Sequence, residues 1–123
     1  MEIKLPTDCG NAPRIGIVAD FAVNWAAGET ESVAEWLAED ARWILVGGNA
    51  QEGTEPADAV PVPFLPERVE VISIITHGRL ASCDGYLERQ GKRMSFSHVF
   101  RFASTSKNAK IAEVRSFCIQ SGE

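Results

Sequence analysis

Residues 94–102 alternate between two kinds of surface. Met94, Phe96, His98, Phe100 and Phe102 fall on one face of an extended chain; Ser95, Ser97, Val99 and Arg101 fall on the other. Side chains of a strand point to opposite sides in turn, so this period predicts a strand with one apolar face. A single imidazole interrupts that face. Three further stretches have strand character: "VEVISIITH" (69–77), "RLASCDGYLER" (79–89) and "AKIAEVRSFCI" (109–119). The connections are His77-Gly78, Gln90-Gly91 and "STSKN" (104–108), which are turn sequences. Four strands joined by short turns predict an antiparallel meander. Gly85 within the second allows a bend or bulge.

The first third of the chain has a different period. In "PRIGIVADFAVNWAAGE" (13–29), Ile17, Val18, Phe21, Ala22 and Trp25 recur at steps of three and four, the stripe of an amphipathic helix. Pro13 suits the first helical position and Gly28 a C-terminal stop. "ETESVAEWLAED" (29–40) predicts a second helix that starts at a capping Thr30, has Glu31 in its first turn and carries Val33, Trp36 and Leu37 on its apolar side. "ARWILVGG" (41–48) predicts a strand. "NAQEGTEPADAVPVPFLPE" (49–67) holds Pro56, Pro61, Pro63 and Pro66, and reads as a loop with room for one helical turn near 55–60. Residues 1–12 lack periodicity and predict an extended arm; the domain proper spans 13–119. Helices first and an antiparallel sheet after predict an α+β fold, in which the helices cover one face of a curled sheet and enclose a pocket.

Composition narrows the function. The chain has 123 residues, 45% of them hydrophobic, which suits one packed domain. Its net charge is −5 and no basic block is present, so nucleic acid is not an expected partner. No apolar run reaches the ~20 residues that cross a bilayer. The N-terminus lacks the layout of a signal peptide, and Cys9, Cys83 and Cys118 are odd in number and widely spaced. These features predict a cytoplasmic protein with free thiols, no metal site and no cofactor.

Several phrases resemble the nuclear-transport-factor-2-like superfamily, with its ketosteroid-isomerase-like and SnoaL-like proteins: "FAVNWAAGETESVAEWLAEDARW" (21–43), Glu52-Gly53, "HVFRF" (98–102) and "KIAEVRSF" (110–117). The opening "LPTDCGN" (5–11) is similar to a group of bacterial members without a settled activity. The resemblance implies a cone-shaped α+β barrel, a curved antiparallel sheet wrapped around N-terminal helices, with an internal cavity and often a homodimer formed through the outer sheet face. It does not imply one activity. Ketosteroid isomerases place a tyrosine where this chain has Phe21, a basic aspartate where it has Leu45, and a protonated aspartic acid where it has His98. Two of those roles are lost and the third is changed, so His98 is the one candidate catalytic residue.

Burial among Phe96 and Phe100 would keep the His98 imidazole neutral, with one donor and one acceptor. Ser116, alternating with Val114 and Cys118, is its expected neighbour. A Ser–His pair suggests an activated nucleophile, but no oxyanion-hole motif accompanies it. The candidate ligand-binding set is Phe21, Trp43, Leu45, Cys83, Leu87, Phe96, Phe100 and Ser116; Trp25 and Trp36 read as core. The opposite face, with Asp84, Tyr86, Val99, Arg101, Arg115 and Phe117, predicts a mixed dimer surface with cross-strand ion pairs rather than a catalytic Asp–Arg pair. His77 reads as a solvated turn residue and Asp40 as the structural end of the second helix. Two functions stay open: binding of a small, largely apolar ligand, or isomerase, cyclase or dehydratase chemistry with His98 as general acid or base.

Overall fold

A computed structural model describes residues 1–47, 50–52 and 60–122. The elements, in order, are β1 (Glu2–Lys4), α1 (Pro13–Ala26), α2 (Thr30–Trp36), β2 (Leu37–Leu45), β3 (Ala50–Glu52), β4 (Arg68–His77), β5 (Leu80–Arg89), β6 (Lys92–Phe102) and β7 (Ile111–Gly122). They build one mixed sheet in the order β1-β4-β5-β6-β7-β2-β3. The meander β4–β7 is antiparallel throughout, as the alternation predicts. Residues 60–66 have no helix or strand; the rest of the proline-rich segment, with Gly53 and the expected helical turn, lies outside the described residues.

Helix α1 begins and ends where its residues dictate. Pro13 is its first residue. At the other end Gly28 takes φ +76°, its N–H reaches Trp25 O at 3.1 Å, and the Glu29 N–H reaches Asn24 O at 2.9 Å. This pair of bonds is a Schellman stop, which favours glycine at the left-handed position. The chain then enters α2 directly. Glu29 takes the N-cap place without a side-chain bond, and Thr30, expected to cap, is already inside the helix.

Two boundaries differ from the sequence reading. Residues 37–40 are strand, not the end of α2, so Asp40 lies on β2. Leu37 is buried and pairs with Ile111 of β7, with a register shift between Leu37 and Arg42. That pairing overrides the helical propensity of "LAE". The sheet is also not purely antiparallel. β2 runs parallel to β7, and the arm is not free: β1 precedes the helices and adds to β4 in parallel, with Ile3 opposite Val69. Arg68 bonds to Glu2, and Lys4 lies 3.8 Å from Glu70, which fixes the arm on an otherwise open edge.

Opposite Gly85, β4 carries a register shift between Val71 and Ser73. A Cβ on Gly85 would lie 2.0 Å from Glu70 O and 3.0 Å from the Phe96 ring. The absent side chain is what lets β4 and Phe96 approach here. The core fills the space between α1 and the inner sheet face, with Phe21, Trp43, Phe100 and Phe102 fully buried.

Candidate functional site

The inner face of β6 is the predicted one: Met94, Phe96, His98, Phe100 and Phe102 are all buried, and His98 is completely so. Register places Cys83, His98, Ser116 and Leu45 side by side on β5, β6, β7 and β2. Aromatic rings close over this row. Ring centres of Phe96, Phe21, Phe100 and Trp43 lie 5.2, 5.8, 6.0 and 6.2 Å from that of His98. Seven of the eight residues of the candidate ligand-binding set therefore gather around His98. Leu87, also buried, lies four residues along β5 from Cys83 and outside the cluster.

A hydrogen-bond chain runs through the cluster. Trp43 Nε1 donates to Ser116 Oγ at 2.7 Å, and the same oxygen lies 2.7 Å from His98 Nδ1. An indole nitrogen can only donate, so Ser116 must accept there. The Ser116 hydroxyl can donate its proton to His98 Nδ1, which puts the ring proton on Nε2; with its second lone pair it can instead accept from Nδ1–H, which leaves Nε2 a bare acceptor. His98 Nε2 has no partner among the described residues and no exposure to solvent. Burial pushes the imidazole pKa down to about 3, so the ring is neutral at physiological pH.

The chemistry follows from this arrangement. One ring nitrogen, Nδ1, is held by Ser116, and the other, Nε2, is a buried polar atom without a partner among the described residues. A buried polar atom left unpaired is costly and rare in folded proteins. Ser116 has the partner a nucleophile needs, but it is fully buried and already accepts from Trp43. Burial drives the Cys83 thiol up to about 12, which keeps it protonated.

A cavity of about 420 Å³ opens at the C-terminal end of α1, between Gly28, Val33 and the segment Val60, Val62, Phe64, and none of the candidate residues is among those that line it. Trp25 is one wall of it and also the ring nearest His98, with centres 4.5 Å apart. The Trp25 indole is held by Val60 O at 2.7 Å. The sequence reading assigned Trp25 to the core and residues 60–65 to a loop. The signal lay in "VPVPFLP" (60–66), where apolar residues alternate with prolines.

The other candidates fall on the outside. Asp84 is half-buried on the outer face, and Arg101 and Arg115 are exposed there, away from His98. His77 is exposed in its turn, and Asp40 is exposed on β2. Glu88 and Arg93 pair across the outer face at 2.5 Å.

No family model matches the sequence, and no curated protein matches it. Solved structures do match. A nuclear-transport-factor-2-like protein of unknown function from Burkholderia xenovorans superposes with a TM-score of 0.71 at 18% identity, over 90% of this chain and 85% of that one. The chain has the nuclear-transport-factor-2-like fold. A candidate ketosteroid isomerase from Kribbella flavida is similar as well, with a TM-score of 0.65 at 15% identity over 90% of this chain and 81% of that one. So is a de novo designed protein with a curved β-sheet, with a TM-score of 0.65 at 21% identity over 87% of this chain and 84% of that one. A fold shared with a designed protein carries no activity by itself.

Among the described residues, no helix is long and apolar enough to cross a membrane.

Proposed function

We propose that the protein binds a small, largely apolar molecule that carries a hydrogen-bond acceptor, in the cone interior where Trp25 separates His98 from the cavity. The observation that carries this reading is the unpaired, buried Nε2 of His98 one ring away from an apolar cavity. A ligand that displaces the Trp25 ring brings its carbonyl or ether oxygen to Nε2–H, while Phe21, Trp43, Phe96 and Phe100 with Leu45 and Cys83 provide apolar surface. Small-molecule sites usually measure ~300–1,000 Å³ and combine apolar walls with few polar groups, and both features are present. This reading takes the tautomer in which Ser116 donates to Nδ1 and Nε2 carries the ring proton.

Isomerase, cyclase or dehydratase chemistry with His98 as general acid or base is the weaker reading. Nδ1 is occupied by Ser116, the imidazole is neutral, and among the described residues no second titratable group within the ring cluster is poised to move a proton. In this arrangement His98 orients a carbonyl rather than removing a proton from it.

The outer sheet face favours a homodimer. Ile75, Phe117 and Ile119 are 64%, 44% and 70% exposed beside Val99, and Arg101, Arg115 and Tyr86 surround them. A two-fold contact places this patch on its own copy. Three unbridged cysteines favour the cytoplasm.

The test compares 1-tetralone with its hydrocarbon counterpart tetralin by calorimetry, using wild type and His98→Phe. The ketone should bind wild type more tightly and lose about 1–3 kcal/mol in the variant, the cost of an unmade buried hydrogen bond, while tetralin changes little. Equal affinities of wild type for the two compounds would rule out His98 as the recognition group.

A further inference from the structure

We infer that a second cavity, at the N-terminal end of α1, is a binding site for a small oxyanion of the phosphate type. This cavity measures about 370 Å³, and the residues lining it include Arg14, Thr76, His77, Thr105 and Lys107. Among the described residues no carboxylate lines it. A concentration of cations is notable in a chain of net charge −5. The site is separate from the one beside Trp25: Arg14 and Trp25 are eleven residues apart on α1, about 16 Å at the helical rise.

Arg14 is the central observation. Only 7% of it is exposed, yet no carboxylate pairs with it among the described residues. Its Nη1 donates to Gly78 O at 2.6 Å, and its Nη2 donates to Ser104 O at 3.3 Å and to Ser106 O at 2.7 Å. Its Nε is buried without an acceptor, and the guanidinium lies 4.0 Å over the Phe102 ring. Three of five donors are thus used, all on neutral carbonyls, and the full positive charge stays uncompensated. A buried charge without a counter-ion is expensive, and its field leaves through the nearest polarisable opening. That opening is the cavity, where Lys107 and His77 are exposed and have no ion-pair partner among the described residues.

The helix end adds to the same field. Ala12, at the N-cap position, has no capping side chain, and the first turn of α1 contains no acidic residue. The positive end of the helix dipole therefore faces the cavity without a built-in negative group. A phosphate-type anion supplies the missing charge and accepts from Lys107 and the two threonine hydroxyls.

The experiment titrates the full chain with inorganic phosphate and with glycerol 1-phosphate in a low-salt buffer, following amide chemical shifts. Saturable shifts should be confined to residues near 13–16, 76–79 and 104–107. Lys107→Ala should weaken binding about tenfold, as the loss of one charge-assisted hydrogen bond does, while Lys92→Ala, which removes an equal charge at a distant turn, should not. Tighter binding of the ester marks the phosphate of a larger molecule, and tighter binding of phosphate marks the free ion; either supports the site. Shifts that spread over the surface, that chloride reproduces at equal ionic strength, or that Lys92→Ala weakens as much as Lys107→Ala, overturn it.

Discussion

The Trp25 ring stands perpendicular to the His98 ring, with centres 4.5 Å apart and an interplanar angle of 89°. Trp25 is thus in contact with the imidazole and is also part of the cavity wall. The bond from Trp25 Nε1 to Val60 O ties this partition to the opposite wall. Trp25→Phe keeps an aromatic partition but removes that tie. It should lower stability by about 1 kcal/mol in urea unfolding, the net value of a buried hydrogen bond. It should also raise the affinity for 1-tetralone, because moving the ring aside then breaks no bond. Unchanged affinity would mean that Trp25 does not stand between ligand and imidazole.

The buried imidazole makes stability depend on pH with a definite sign. Folded, His98 has its pKa lowered to about 3 from 6.5, so between these values the unfolded chain binds the extra proton. Stability therefore rises with pH through that window and is lost on acidification. From pH 7 to pH 5 the His98 contribution should fall by about 2 kcal/mol, at about 1.4 kcal/mol per pH unit below the unfolded value. Urea unfolding at the two pH values, in wild type and His98→Phe, isolates it. The same pH slope in both proteins would contradict a neutral, buried His98.

The place of His98 was legible from period alone. Alternation through residues 94–102 put it on an apolar face, and the turns at 90–91 and 104–108 join the strands whose pairing brings Cys83 and Ser116 beside it. What the sequence could not reveal was longer in range. Glu39 and Asp40 are locally suited to a helix, and only the pairing of Leu37 with Ile111, far along the chain, makes them strand. Residues 2–4 carry no strand period because an edge strand of three residues needs only a partner's open edge, supplied by β4. The cavity beside Trp25 leaves no local trace for a similar reason. Trp25 lies on the helical stripe of a core residue, and its second role depends on a loop that bends back over the end of α1.

Gly85 tests the packing of the bend. Any Cβ there meets the backbone oxygen of Glu70 at 2.0 Å, and backbone cannot move aside as a flexible side chain would. Gly85→Ala should destabilise the fold by about 1–3 kcal/mol, the usual cost of overpacking. A thermal midpoint equal to wild type would show that β4 and β5 sit farther apart here.

The outer face makes a prediction about assembly. Phe117 and Ile119 are exposed on β7, next to β6. Wild type should sediment as a dimer at micromolar concentration, with an interface on the order of 1,600 Å². Phe117→Glu should give a folded monomer, since it puts two like charges near each other across a two-fold contact. A wild-type monomer, or a Phe117→Glu dimer, would exclude this face.

The central claim is that His98 offers its Nε2–H to a ligand acceptor. The most direct measurement is the ¹⁵N spectrum of histidine-labelled protein, recorded at pH 7 without and with 1-tetralone. The account predicts a neutral His98 with its proton on Nε2, and a shift of that nitrogen on ketone binding that tetralin does not produce. A proton on Nδ1, or a His98 signal unmoved by a ketone that binds, would contradict it.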